Sequence, residues 1–456
     1  MALLFALQRE GRWPPVTTQW CRDQAPTDLN QRNCPMKGRL VVLSSNHSAV
    51  ESGSHTLRGG EMRHNGSRTM RTGDHMSNAP LQGVKVVELG VWVAGPAVTG
   101  MLADWGADVL KIEPPTGDPQ RAVFGALGVG DQVGVPPFEI DNRGKRSVVL
   151  DLRNDTDVET MMTLISEADI FVTNVRPAGL QRLGLDADSM TKKFPRLIYG
   201  IITGYGLTGP DVDKAGYDIG AFWARSGLAH TTVAPDELPP GIRSGQGDHT
   251  TGMALASGVM AALFDRERTG KGRVVSTSLL RTGIYTIGWD FGVYLRYGKR
   301  QSTRPRHRNP APQVNCYRCA DGRAFWLLGL EADRHWPGFL KAIDRQDLAS
   351  VENFKNARAR AVNAEEIIAV LDAHFATQDY AHWTSRFDAE DVWWAPLNSI
   401  PDAINDPQVI ASGAFIDMTP QPGEAPYRAV NSPVDFNGYT PTYGPVPNLG
   451  QHEPKW

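Results

Sequence analysis

The chain has 456 residues, 41% of them hydrophobic, and a formal net charge of -3 at pH 7. That length is too great for one ordinary core and predicts two or three domains. The near-neutral charge gives no electrostatic case for a nucleic-acid or anionic-membrane partner, and the longest apolar run, residues 252–264, is shorter than the roughly 20 residues of a membrane span.

Residues 1–80 carry scattered Arg, His, Ser, Asn and Gly without a helical or strand period, and read as a poorly ordered extension. "MALLFAL" is too short for a signal-peptide core, and Arg9 and Glu10 follow it closely. Met76 opens "MSNAPLQGVKVVELG", which reads as a natural start.

The folded pattern begins at Leu81. "VKVVELG" (84–90) is a buried strand by its β-branched run. Pro96 falls in the first turn of the next helix, which Gly106 ends. "DVLKIEPP" (108–115) is the second strand, stopped by two prolines. Strands follow at 146–152, 169–175 and 197–206, with helices over 156–168 and 186–193. Strands alternating with helices predict an α/β fold with a Rossmann-like parallel sheet covered on both faces. After about residue 290 the pattern changes. "YGKRQSTRPRHRNPAPQ" is basic and loop-like, "VNCYRCADGRAFWLLGL" reads as a hairpin, and helices follow, with Trp336 and Phe339 at i, i+3 and then "AEEIIAVLDAHFA". This is a smaller α+β domain over 300–394. The large domain is then discontinuous, built from 81–290 and 395–456, and its last part reads as short extended pieces.

Cys316 and Cys319, two of four cysteines, form a C-x-x-C. Neither a second pair nor histidines stand at ligand spacing, so no metal site is expected. Ala320-Asp321-Gly322 reads as a hairpin turn, which argues against a redox pair. "GYGLTG" (204–209) matches G-x-G-x-x-G, but Pro210-Asp211 follows where a phosphate-binding helix should start. The first βαβ unit has Gly90, Gly95 and Glu113 near the dinucleotide positions yet lacks closely spaced glycines. A Rossmann-like sheet without a bound nicotinamide is the reading. "RHRNP" (306–310) is a basic cluster, either solvated or touching a phosphorylated cofactor.

"GQGDHTTGM" (245–253) places one acid, Asp248, where a small-residue helix begins. Two readings compete. Asp248 caps the helix, or it is an exposed nucleophile. Locally the cap is favoured. His249 reads as a surface or satisfied histidine, because no Ser or Cys nucleophile accompanies it.

Several stretches then agree. "LQGVKVVELGVWVAGPAVTGMLADWGADVLKIEPPTGDPQR" resembles the N-terminal signature of the class III coenzyme A transferases (the CaiB/BaiF family). The resemblance continues through "NRGKRSVVLDL", "ADIFVTNVRPAGLQRLGLD", "AGYDIGAFWARSG", "GDHTTGMALASGVMAALFDRERTGKGRVVSTSLL" and "NDPQVIASGAF", and covers nearly everything from residue 81 onward. It implies that Asp248 is the nucleophile of a CoA transfer, with an aspartyl anhydride and an aspartyl-CoA thioester as intermediates. CoA or acyl-CoA is then a substrate, with no permanently bound cofactor. The resemblance places Asn174, Arg182 and Lys214 near the nucleotide or its phosphates, and Val93, Ala94 and Gly95 near the thioester. A related transferase has Gln where this chain has Val93. Tyr217, Asp218 and Gly247 are implied at the acyl site, the last as a backbone that approaches the thioester closely. Phe222, Trp223, Arg225 and Trp289 are candidates for acyl selectivity. The family's Gly-rich loop is not evident, since "RNPAPQVN" occupies its neighbourhood.

α-Methylacyl-CoA racemases also resemble this chain. Their base pair uses a His where this chain has Tyr217, and tyrosine is a poor base near neutral pH. Glu331 stands where racemases often have an acid, but alone it does not restore the pair. Transfer is favoured over racemisation, and over a non-catalytic CoA-binding relative, which the intact Asp248 argues against. The resemblance further implies an interlocked homodimer. Cysteine usage and the lack of a targeting signal fit the cytoplasm.

Overall fold

The computed structural model describes residues 78–126, 134–299, 303–418 and 425–456. The extension expected over 1–80 therefore lies, up to residue 77, outside the described residues.

Six parallel strands form the main sheet: β1 (Lys85–Leu89), β2 (Asp108–Glu113), β3 (Arg146–Val149), β4 (Ile170–Thr173), β5 (Ile198–Thr203) and β6 (Val274–Ser278). Their order is β3-β2-β1-β4-β5-β6, every pair parallel. This is the doubly wound arrangement. β4 and β5 are buried at every position, as strands covered on both faces must be.

One face is covered by helix α1 (Ala94–Asp104) and the 24-residue α6 (Gln246–Thr269). Their core joins Val98 and Leu102 to Leu255 and Val259 over Val86, Val172 and Ile202. Small residues set the spacing of the two helices. A Cβ on Gly252 would lie 3.1 Å from the Ala97 methyl. The other face buries Val87, Leu110, Phe171 and Tyr199 under α3 (Asp155–Ser166), α4 (Pro177–Arg182) and α5 (Ala187–Lys193). The short α2 (Pro136–Asn142) packs on α1.

α7 (Leu279–Thr286) and α8 (Gly288–Tyr297) follow β6. Periodicity does not reveal α8, because it buries none of its residues. An antiparallel sheet β7-β8-β9 (Cys316–Arg318, Ala324–Leu327, Trp394–Pro396) then packs against α9 (Ala332–Ala342), α10 (Ala364–Phe375) and α11 (Tyr380–Ala389). Its core is aromatic, with Phe325, Phe375 and Phe387 in mutual edge-on contact. The β7–β8 hairpin turns at Gly322, whose φ of +83° suits glycine. Burial, with Asp321 and Asp379 nearby, pushes the Cys319 thiol up to about 11, so it is no ready nucleophile or ligand.

The extended tail expected after Ala395 contains two short helices, Ile400–Asn405 and Pro407–Ala411. Ser399 and Asp406 cap them, each followed within two residues by a proline suited to a first turn. β10 (Phe415–Met418) and β11 (Tyr427–Val430) pair antiparallel. The end of the chain returns to the main sheet: the His452 N–H donates to the Ser147 carbonyl at 2.9 Å, and the Trp456 indole to Leu164 at 3.0 Å.

Candidate active site

A cavity of about 280 Å³ opens at the carboxyl ends of the strands, where the order reverses between β1 and β4. Open α/β sheets bind ligands at this switch point. Each wall is the residue or loop just beyond a strand: Val91 and Trp92 after β1, Asn174 and Arg176 after β4, Thr203 and Gly204 at the end of β5, and Leu279 after β6. Ala94, Lys214, Tyr217 and Asp248 also line it.

Asp248 is not the helix cap that local sequence favours. Gly245 is the N-cap, in a left-handed conformation (φ 78°) and with no side-chain capping bond. Asp248 lies in the first turn, three residues on. Burial pushes its carboxyl up to about 7; Asp218 adds to the shift, His249 opposes it and Asp141 adds again. Asp218 is itself buried. One of its oxygens accepts the Ile219 N–H at 2.7 Å, and the other has no partner.

Gly247 has a packing reason. A Cβ there would lie 2.7 Å from Phe222 Cγ and 2.8 Å from Asp218 Cβ, so α6 can meet the π-helical segment Ile219–Ala224 only through glycine. The close approach is thus to protein, whereas the family resemblance implies one to a thioester.

The loop after β1 is held from below. Asn174 donates its side-chain N–H to the Val91 carbonyl at 2.8 Å and accepts the Val91 N–H at 3.0 Å. Its amide is therefore engaged by main chain, although its side chain also faces the cavity. Gly95 lets α1 pass over it, since a Cβ there would be 3.1 Å from Asn174 Cγ. Trp92 has φ 62°, a strained conformation for an aromatic residue. Asp118 accepts its N–H at 3.1 Å. Asp118 also pairs with Lys111 at 2.9 Å, and Lys111 with Glu88 at 2.7 Å. Glu88 further binds Lys145 at 2.7 Å and the Thr99 hydroxyl at 2.6 Å. Glu88, Lys111 and Lys145 have no exposed side-chain surface. Burial penalises the Glu88 carboxylate, but Lys111 and Lys145 outweigh it and hold its pKa at about 2. Burial pulls Lys145 down to about 8; Glu88 opposes the shift, Lys111 adds to it and Asp141 opposes it. Sequence reading missed this network, because a lysine within a strand reads as surface.

The remaining implied residues divide. Lys214 and Tyr217 line the cavity, and Tyr217 meets Trp92 edge-on with ring centroids 6.3 Å apart. Val93 caps α1 just behind Ala94. Arg182 ends α4 exposed and is not in the wall; Arg176, at the start of the same helix, is. Its place directly after a strand is the signal that could have found it. Glu331 precedes α9, is exposed and pairs with Arg334, so one chain does not bring it to Asp248. Phe222, Trp223, Arg225 and Trp289 are likewise outside the wall. Phe222 is buried, and Arg225 pairs with Asp211. In the basic run, Arg306 pairs with Asp372 and Arg308 with Glu365. Both ion pairs are solvent-exposed.

Residues 81–453 match the family model described as CoA-transferase family III. The chain belongs to this family. It is 34% identical to (R)-2-hydroxy-4-methylpentanoate CoA-transferase of Clostridioides difficile over 82% of this chain and 93% of that protein. It is 32% identical to cinnamoyl-CoA:phenyllactate CoA-transferase of Clostridium sporogenes, over 81% and 90%. A crystal structure of a CaiB/BaiF family protein from Brucella suis superposes with a TM-score of 0.72 at 30% identity, covering 82% of this chain and 98% of that one. As a family III member the chain is an enzyme of the CoA-transferase type, acting on CoA thioesters and carboxylates. No helix among the described residues is long and apolar enough to cross a membrane. Among the same residues no group of three or more His, Cys, Asp or Glu could hold a metal ion.

Proposed function

We propose that Asp248 carries CoA from an acyl-CoA to a free carboxylic acid. The observation that supports this reading is a half-buried carboxyl without a capping bond, in the wall of the switch-point cavity. An Asp248 oxygen attacks the thioester carbonyl and expels CoA thiolate, leaving a mixed anhydride. The thiolate attacks the Asp248 carbonyl carbon, forming an aspartyl-CoA thioester and releasing the donor carboxylate. The acceptor carboxylate then attacks that thioester, and the thiolate returns to the acyl carbon of the new anhydride. Asp248 is regenerated as carboxylate. The first-turn N–H groups of Ala94 and Gly95, which have no acceptor one turn back, suit the oxyanion. Arg176 and Lys214 suit the phosphates of CoA. Among the described residues the cavity wall contains no histidine, which favours transfer over racemisation.

The reading extends to the assembly. α8 exposes Trp289, Tyr294 and Leu295, an apolar face that suits a second copy of the chain in an interlocked homodimer. Residues 300–394 form the inserted smaller domain of this scheme, and the cytoplasm is its compartment. The test is intact-protein mass after incubation with a panel of acyl-CoAs, followed by borohydride or hydroxylamine trapping and peptide mapping. The panel includes 2-hydroxyacyl thioesters, because two relatives are named for (R)-2-hydroxy-4-methylpentanoate and phenyllactate. An adduct on Asp248 that Asp248→Ala abolishes supports the reading. No adduct, with solvent deuterium entering the α-carbon of a 2-methylacyl-CoA, overturns it in favour of racemisation.

A further inference from the structure

His249 follows Asp248 directly, yet its ring turns away from the cavity wall. Its Nε2 lies 3.0 Å from Asp141 Oδ1. Asp141 sits in the last turn of α2, 3% exposed, and its second oxygen is buried without a partner. It is held there by the crossing of α2 and α1: the Asp141 carbonyl would be 2.7 Å from a Cβ on Gly100. The other edge of the ring, Nδ1 and Cε1, faces Gly245, 3.4 Å from the position of a Cβ there. The Gly245 backbone also favours a proton on the ring. The bond from Nε2 to Asp141 and the nearby Gly245 backbone both favour the protonated ring, the imidazolium.

We propose that the Asp141–His249 pair fixes an imidazolium beside Asp248 and thereby offsets part of the burial that favours the protonated acid, raising the share of the carboxylate that attacks the thioester. His249 is then a positioning residue that acts through Asp248, and this inference rests on the function proposed above. The charged groups around it are few. Asp141 faces the ring from α2 and Asp248 lies on its own helix. Asp218 acts on Asp248 from the π-helical segment, and Lys145, bonded to Asn142, acts on Asp141. Burial works against the cation, but the bond to Asp141, the charges of Asp141 and Asp248 and the Gly245 backbone hold the imidazole above its ordinary pKa. The ring is 40% exposed, so it exchanges protons with solvent.

The sign follows. Asp248 must be ionised to attack, so activity falls as pH drops through its pKa. His249→Gln keeps a donor for Asp141 and removes the positive charge, leaving Asp141 unbalanced. The acidic limb of kcat/KM should move up by about one pH unit, a loss of roughly tenfold at pH values below the limb. Asp141→Asn weakens the cation but also removes a negative charge that opposes Asp248 ionisation, so its limb should move less. A second readout needs no turnover. The Cε1–H resonance of His249, assigned by its loss in His249→Gln, should titrate to a lower midpoint in Asp248→Asn. Limbs that coincide in the wild type and His249→Gln overturn the inference, as does a His249 midpoint that Asp248→Asn leaves in place. If no acyl-CoA is turned over or trapped, the transfer reading falls, and the resonance still decides whether the two residues are coupled.

Discussion

Asn174 and Val91 are joined by two hydrogen bonds, the Asn174 amide donating to the Val91 carbonyl and accepting its N–H. A side chain at the end of β4 thus copies the edge of a strand and locks the loop that leaves β1. Asn174→Ala removes both bonds and should cost about 1–3 kcal/mol. Because the loop forms one wall of the cavity, kcat/KM for CoA transfer should fall by about tenfold or more. Steady-state kinetics beside denaturant melts checks both. Asn174→Asp keeps only the acceptor and should recover part of the stability.

Glu88 binds two buried lysines, so Glu88→Gln leaves Lys111 and Lys145 without their shared carboxylate. Breaking a buried ion pair from one side costs about 3–5 kcal/mol. The pH dependence has a definite sign. The folded Glu88 pKa is depressed to about 2, so its contribution is present above the ordinary glutamate pKa and is lost as pH falls toward 2. The wild type should lose stability through that window, and the variant should show a shallower acid limb in urea melts at stepped pH.

Gly247→Ala puts a methyl group into Phe222 and Asp218. Overpacking of this kind costs about 1–3 kcal/mol. It also pushes the first turn of α6, and Asp248 with it, away from the π-helical segment. Activity should therefore fall by more than the stability loss explains, as measured at a temperature where the variant is fully folded. Gly184→Ala is an unsuitable control because its φ is positive; Gly241→Ala, with nothing near its Cβ and no positive φ, should change neither property.

Asp248 is raised to about 7 by burial first and by Asp218 next. The folded state then holds the proton more tightly than the unfolded chain. The stability it contributes is present below the unfolded carboxylate pKa and is lost as pH rises toward 7. Asp248→Asn should abolish transfer and yet be more stable than the wild type at pH 8, by on the order of 1–3 kcal/mol. The gain should shrink toward pH 5. Chemical denaturation at the two pH values checks the difference.

Much of the architecture is legible in the chain. The β-branched runs at 84–90 and 197–206 are strands because only a two-sided burial uses them fully. Asp321-Gly322 announces its hairpin, since glycine takes a positive φ without strain. α8 was not legible. Its apolar residues remain exposed in the single chain, so no periodic core-facing stripe marks it. Asp248, Lys214 and Tyr217, singled out through motif, line the cavity; Arg182 does not, whereas Arg176, six residues earlier at the cap of the same short helix, does.

The sequence by itself determined the alternation of strands and helices, the small-residue helix that opens around Asp248, and the motif set that marks a family III CoA-transferase. Each of these is written in local spacing. Only the tertiary structure decided what surrounds Asp248. It put Gly245 at the cap, turned the Asn174 amide onto main chain, buried Glu88 between two lysines and brought Asp141 to His249 across 108 residues of chain. Those pairings depend on how helices cross over a twisted sheet, and contact between distant segments leaves no period in the sequence for a reader to find.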